Sequence, residues 1–413
     1  MTSPDFRPKV PVSVPTATPE TNPYRPGAGH RPPHLAGRDA AIADVEKYLE
    51  QTQILCNVVL TGLRGVGKTV LLEELRRPAT ARGWYWVATD LSESASVSEE
   101  NLATRLLADL SVVTSGFSFN ETVQAGPGFM QTASTVVRRL DFAFLKRLYD
   151  GTPGLVMDKL KFVLEASWSA IKSAGARGIV FAYDEAQNLA DHAAKEQFPL
   201  SMLLDVFQSI QRKGIPYMLL LTGLPTLFPK LVEARTFAER MFHVVTLNRL
   251  DETDCKAAIT KPVENYPLKF TSVGVEKIVE VSGGYPYFIQ FICRESFDLV
   301  LRGDVLDDTR FLSIIAKLDT DFFAGRWARA TDRQRDLMGV IADLPNAEGE
   351  FSVQEIVEAS KLTTEKAFSG SHVNQMLGSL VSAGLIFKNR HGKYAFAVPL
   401  LSQFIVRQRA ILG

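Results

Sequence analysis

Residues Gly62 to Thr69 read GLRGVGKT, which fits G-x-x-x-x-G-K-[ST] at every position. No other feature narrows the possible folds as far. Glycines let successive backbone amides turn inward around phosphate oxygens, and the helix that follows directs its positive end at them. Apolar Val58-Val59-Leu60 precedes the loop and Val70-Leu71-Leu72 follows it, giving the strand–turn–helix setting that the pattern needs. Lys68 is expected on the β- and γ-phosphates of ATP and the Thr69 hydroxyl on Mg2+. Gly62, Leu63, Arg64, Gly65, Val66, Gly67 and Val70 complete the expected nucleotide-binding loop.

Around this loop the pattern alternates. A helix is predicted over 39–51, then the apolar run 54–60, the loop and its helix, and a strand over 84–88. Further strands are predicted at 178–183, 217–222 and 242–247, so the fold class is α/β with a largely parallel sheet. Some 90 residues separate the second strand from the third, and the glycine-rich 115–129 stretch predicts an insertion with a mobile loop, about 113–157. Residues 250–301 read as helices alone. Nine of the 21 prolines fall in the first 33 residues, which predicts an extended tail or arm. It is either a disordered leader or, as Tyr24 and the approach to His34-Leu35-Ala36 suggest, a docked strap.

Composition excludes several classes. The 413 residues suffice for two or three domains, and 46% hydrophobic with 22% charged residues rules out a disordered or fibrous chain. Lys plus Arg (46) equals Asp plus Glu (46), so no global basic field marks a nucleic-acid binder. Cys56, Cys255 and Cys293 lack metal-ligand spacing and read as reduced core residues of a cytoplasmic protein. No apolar run reaches the roughly 18–20 residues of a membrane span, and no signal-peptide core is evident.

The second chemical element is IVFAYDEAQNL, 179–189. An apolar strand ending in two carboxylates places Asp184 near the metal and Glu185 where it can polarise water for in-line attack on the γ-phosphate. Thr222, at the end of YMLLLT, is a candidate contact to that phosphate or to the water. Arg240, before the 242–247 strand, is a candidate arginine finger toward a neighbouring subunit, with Arg235 competing for the role.

The order HLAGRD, GLRGVGKT, IVFAYDEAQNL, LLLTGLP, ERMF, SGGYPYFIQ resembles the AAA+ superfamily. More narrowly, it resembles the branch holding archaeal ATPases, origin-recognition initiators and signal-transduction ATPases with numerous domains. The resemblance implies an AAA+ nucleotide-binding domain over 34–249 and a helical lid over 250–326. It implies that Leu35, Gly37 and Arg38 bracket the adenine, and that Gly284, Tyr285 and Pro286 head a lid helix near the base. It departs from many motors in that GGYP offers no phosphate-sensing arginine at the expected place, Arg294 being a weak substitute. Self-association is implied.

Residues 327–413 read as helix–helix–helix–hairpin, resembling a winged helix. Lys plus Arg there number 10 against 8 Asp plus Glu, a net of 10 − 8 = +2, with Lys388, Arg390 and Lys393 on the hairpin and His391 between them. The 369–383 helix has no formal charge, although Ser371, His372, Asn374 and Gln375 suit base edges. Two readings stay open: ATP-driven assembly or loading on duplex DNA, and a signalling or defence switch whose winged helix contacts an unidentified protein.

Overall fold

The computed structural model describes residues 22–125, 132–304, 306–363, 366–390 and 392–412. Five parallel strands make the central sheet: β1 (Asn57–Thr61), β2 (Trp84–Asp90) and, after the hairpin β3 (Ser118–Ala125) and β4 (Thr132–Arg139), β5 (Gly178–Asp184), β6 (Tyr217–Gly223) and β7 (Phe242–Thr246). Their order is β2-β5-β6-β1-β7. Every residue of β1, β5 and β6 is buried, as strands covered on both faces must be. Alternation divides them: Val58, Leu60, Val180, Ala182 and Leu220 enter one core, and Val59, Ile179, Phe181, Leu219 and Leu221 the other.

Helices α1 (Asp39–Leu49) and α2 (Lys68–Ala81) cover the first face. The second is covered by α3 (Glu99–Thr114), α4 (Phe142–Gly151), α5 (Val156–Ser173) and α6 (Pro199–Arg212), with α7 (Leu227–Ala234) and the short α8 (Ala238–Met241) leading to β7. Residues 115–129, expected to form a mobile loop, instead supply β3, paired antiparallel with β4 from Ser118↔Arg139 to Ala125↔Thr132. The Gly-Pro-Gly turn signal had masked the β-capable segments on either side; residues 126–131 lie outside the described ones.

Beyond β7 the chain is helical: α9 (Glu252–Thr260), α10 (Ser272–Ser282), α11 (Pro286–Leu301), α12 (Asp308–Leu318) and, through one π-helical stretch, α13 (Gly325–Trp327). A three-stranded antiparallel sheet then gathers α14 (Asp332–Ala342), α15 (Val353–Thr363) and α16 (Gly370–Ser382). Its strands are β8 (Phe351–Ser352), β9 (Ile386–Arg390) and β10 (Lys393–Phe396), in the order β8-β10-β9. A last helix, α17 (Leu401–Leu412), was not evident in the sequence; Arg407 pairs with Asp319 at 2.6 Å and Arg409 with Asp343 at 2.8 Å. One continuous core, from Ile278 and Phe288 through Phe311 and Phe323 to Leu337, Leu377 and Phe404, unites the helices after β7 with this C-terminal unit. No described helix is long and apolar enough to cross a membrane.

The proline-rich segment is docked from residue 22 onward; residues 1–21 lie outside the described ones. Tyr24 is fully buried, its hydroxyl donates to the Ile259 carbonyl, and its ring meets Phe270 and Phe297 at 6.1 and 6.3 Å. Asn22 donates to Asp298 at 2.6 Å, the Arg25 amide donates to Gln290 at 3.0 Å, and Arg31 pairs with Glu74 at 2.7 Å. These contacts correct the disordered-leader alternative for residues 22–33.

Candidate functional site

The phosphate loop closes on itself through glycine geometry. Gly65 and Gly67 have φ of 78° and 92°, values that a side chain rarely adopts, and Gly67 is the residue from which α2 starts. At Gly62 a Cβ would come within 2.5 Å of the Leu247 carbonyl oxygen, so β1 and the exit of β7 approach only over a bare backbone. Lys68 is 9% exposed and donates to the carbonyls of Gly62 at 2.9 Å and Leu63 at 3.0 Å. Burial pushes its ammonium down to about 8; Glu185 and Asp184 oppose that shift, and Arg64 adds to it.

The end of β5 delivers the carboxylates. Asp184 is buried; one oxygen accepts the Thr69 hydroxyl at 2.5 Å, and the other accepts the Thr222 hydroxyl and the Glu185 amide, the latter at 2.8 Å. Thr222 is thus fully buried on Asp184, the carboxylate next to the expected phosphate and water positions. Glu185 has φ of 50°, a strained turn that swings its side chain out of strand register and into the cavity above Lys68. The Gln187 side-chain Nε2 donates to the Glu185 carboxylate, while its Oε1 accepts from the Leu224 backbone amide at 3.2 Å. Gln187 was missed in the sequence because it follows the carboxylate pair with no spacing rule of its own. The hard oxygens of Thr69 and Asp184 suit Mg2+, which commonly takes one or two protein ligands beside phosphate and water. Among the described residues there is no cluster of three or more His, Cys, Asp or Glu that could hold a metal ion by itself.

A cavity of about 280 Å³ runs from Lys68, Thr69 and Glu185 past Val66, Gly67 and Val70 to Leu35, Arg38 and Pro286. Arg38 is buried and braces the loop, donating to the Val66 carbonyl at 2.8 Å and the Asn248 carbonyl at 3.0 Å. Gly37 has φ of 63°, and a Cβ there would meet Asp254 Oδ2 at 2.4 Å, so the Leu35-Ala36-Gly37-Arg38 turn closes only with glycine. Tyr285 does not line the cavity; it precedes α11 and packs into the cores beside it. One helical step on, Tyr287 and Gln290 line it instead, and the Tyr287 amide donates to the Gly65 carbonyl at 3.2 Å. Strap residues Arg25 to His30 form a further wall. Arg294 is no phosphate contact, because its guanidinium donates to the Tyr24 carbonyl at 3.2 Å and holds the strap.

Arg235 is locked onto Asp205 at 2.7 Å and Ser201 at 2.7 Å, whereas Arg240 is exposed and its guanidinium makes no hydrogen bond or ion pair with the described residues. On the C-terminal hairpin Arg390 pairs with Glu350 at 2.6 Å and Lys393 with Glu355 at 3.2 Å. Of the three expected phosphate contacts only Lys388 is exposed and without an acidic partner; His391 lies outside the described residues. The hairpin also touches the phosphate loop, with Phe387, Ala395 and Ala397 packing against Leu63. Cys255 and Cys293 are buried, while Cys56 is half-buried rather than core.

Residues 34–232 match the AAA ATPase domain family, and residues 320–405 match a domain of unknown function, DUF8462. No curated protein matches the sequence. The fold is similar to that of the Walker-type ATPase PABY2304 of Pyrococcus abyssi, with a TM-score of 0.57 at 15% identity over 91% of this chain and 97% of that one. It is also similar to the ORC2 protein of Aeropyrum pernix in its ADP form, with a TM-score of 0.54 at 15% identity over 93% of this chain and 97% of that one. Residues 34–232 thus resemble the AAA ATPase domain family, and the chain shares the fold of these two archaeal structures.

Proposed function

We propose that this chain is a Mg2+-dependent ATP-binding and ATP-hydrolysing switch, in which nucleotide occupancy sets the position of the C-terminal unit. Lys68 and the loop amides take the β- and γ-phosphates, Thr69 and Asp184 hold the metal, and Thr222 fixes the Asp184 carboxylate. Glu185 orients the attacking water once Gln187 releases it. Leu35, Gly37, Arg38, Val70 and Pro286 surround the base. The metal supplies charge neutralisation on the phosphates; the residues do the positioning. Arg240, free on the surface, is the residue offered to a second copy of the chain.

One observation carries the switch reading: the hairpin β9–β10 rests on Leu63 of the phosphate loop itself. A loop that rearranges around phosphate disturbs that contact directly. Hydrogen exchange on the full chain tests it: the β9 and β10 amides should differ in protection between the ADP-bound and ATP-analogue-bound proteins, and identical protection refutes the reading.

The exposed polar row Ser371, Asn374 and Gln375 on α16, with Lys388 nearby in sequence on β9, favours a second reading as a loader on duplex DNA. The acidic partners of Arg390 and Lys393 weigh against it. Binding to random duplex in the presence of ATP separates the two: a steep salt slope supports loading, and none supports the switch.

A further inference from the structure

Many arginines of this chain meet acids: Arg82 meets Glu46, Arg235 meets Asp205, Arg407 meets Asp319 and Arg409 meets Asp343. A group beside the phosphate loop does not. Arg326, on α13, lines the same cavity as Lys68, Thr69 and Glu185, and so does Arg64 of the phosphate loop. Beside it opens a cleft of about 390 Å³ walled by Arg64, Arg326 and Arg329, with Gly384 of the C-terminal unit opposite. Asp321 lines that cleft too, yet none of the three guanidiniums forms an ion pair with it or with any other described acid.

Arg64 and Arg326 are also poorly satisfied. Arg64 Nε is buried without a hydrogen-bond partner. Arg326 donates to the Phe322 carbonyl, and its guanidinium lies 4.4 Å from the centre of the Phe322 ring, which anchors it and leaves its other donors free. Burial and the neighbouring charge of Arg64 hold its pKa below the usual guanidinium range, and Arg329 adds to this. Crowding like charges beside a phosphate loop is unfavourable until an anion with several acceptor oxygens arrives, and planar guanidiniums match phosphate oxygens.

We propose that Arg326, assisted by Arg64 and Arg329, binds the terminal phosphate of a nucleoside triphosphate held in the phosphate loop. This rests on the ATP-binding reading above and extends it. It places the reader of the third phosphate within residues 320–405, the region matched to a domain of unknown function. ADP leaves the cluster repelling itself; a third phosphate draws α13 and the loop together. The C-terminal unit follows, because α13 leads straight into α14 and Gly384 sits over Arg64, whose Nη2 would be 3.9 Å from a Cβ placed there.

Full-length parent, R326Q, R326K and R329Q are titrated by calorimetry with Mg-ADP and with a non-hydrolysable Mg-ATP analogue. R326Q is expected to weaken the analogue about tenfold or more and ADP far less, collapsing the preference for the triphosphate. R326K, which keeps the charge without the planar fork, should fall between. Nucleotide-free R326Q should melt no lower than the parent, since a crowded charge has been removed, so weak binding will not reflect misfolding. An unchanged ratio of analogue to ADP affinity in R326Q overturns the proposal. So does inorganic phosphate that binds the ADP-loaded parent, is lost in R326Q and leaves that ratio intact, because the cluster then serves a free anion. A parent that binds neither nucleotide refutes the ATP reading and this inference with it.

Discussion

Replacing Lys68 with methionine should leave the nucleotide-free protein no less stable at pH 7, although it removes the residue that defines the phosphate site. Burial lowers the Lys68 pKa from 10.5 to about 8, a difference of 10.5 − 8 = 2.5 units. At about 1.4 kcal/mol per unit, carrying that cation in the fold costs about 3 kcal/mol at pH 7. Methionine keeps the aliphatic stem and discards the charge. The Gly62 and Leu63 carbonyls lose their donor, which offsets about 1 kcal/mol each, so a net gain of about 1 kcal/mol remains. The sign reverses with pH. Between pH 8 and 10.5 the unfolded parent holds the Lys68 proton and the folded parent has released it, so the parent gains stability as pH rises through that window. By pH 10 that gain is about 2–3 kcal/mol, and K68M, which lacks it, should have become the less stable protein. Urea unfolding of both proteins without nucleotide at pH 7, 8, 9 and 10 measures the difference, and other titrating groups cancel between them. Parallel stability curves, or a K68M protein about 2 kcal/mol less stable at pH 7, would refute the assignment of Lys68 as a buried, strained cation awaiting phosphate. The same protein should show no melting shift with ATP.

Glu185→Gln should bind ATP as the parent does and turn it over at least about tenfold more slowly, read by single-turnover phosphate release; unchanged turnover leaves Glu185 a bystander. Tyr24→Ala should destabilise the fold by about 3–5 kcal/mol and weaken nucleotide binding by freeing the strap wall, while Tyr24→Phe costs about 1 kcal/mol in denaturant unfolding. Arg240→Ala mixed with Lys68→Ala should recover part of the ATPase lost in each alone if Arg240 acts across a subunit boundary, and a flat mixing curve rejects that role. Lys388→Gln should lower the salt slope of any duplex-DNA binding by about 1 unit, and neutralising Arg390 and Lys393 as well should add little, because Glu350 and Glu355 already hold them.

What the sequence disclosed followed the reach of its signals. The sheet strands were legible because central parallel strands are continuous apolar runs between punctuating loops, as Gly178–Asp184 and Tyr217–Gly223 are. The phosphate loop was legible because its chemistry is local. Contacts made between elements apart in the sequence were not. Thr222 was expected near phosphate because it ends a strand at the right level, yet its hydroxyl turns sideways to Asp184, 38 residues earlier. Tyr285 was read as base-facing because it sits in the turn, but the start of α11 rotates Tyr287 to the cavity instead. Lys388, Arg390 and Lys393 form a basic cluster in one dimension only; in three, two of them meet acids from residues 350 and 355. Tyr24 was a hint amid prolines, and what decides the docking of the strap is a pocket built from α9, α11 and Phe270.

The distribution of apolar contact bears on which parts move together. Phe323 stacks on Phe404 at 5.1 Å and Trp327 meets the same ring at 5.9 Å, so the helices after β7 and the C-terminal unit share one large core. The seam between the C-terminal hairpin and the phosphate loop is small by comparison: Leu63 on Phe387, Ala395 and Ala397. Hydrophobic stabilisation scales with the apolar area removed from water, so the seam opens at far lower cost than the core divides. A rearrangement driven from the loop, as the proposed switch requires, should therefore leave helices α9 to α13 and the C-terminal unit as one body and change how that body meets Leu63, Arg64 and Gly65. Leu400, held at φ of 59° against Gly283, fastens the unit to the turn that starts α11. Any motion at the hairpin should thereby reach Tyr287 and its hydrogen bond to Gly65, because the glycine-rich loop is held at Leu63 and at Gly65 by one packed unit.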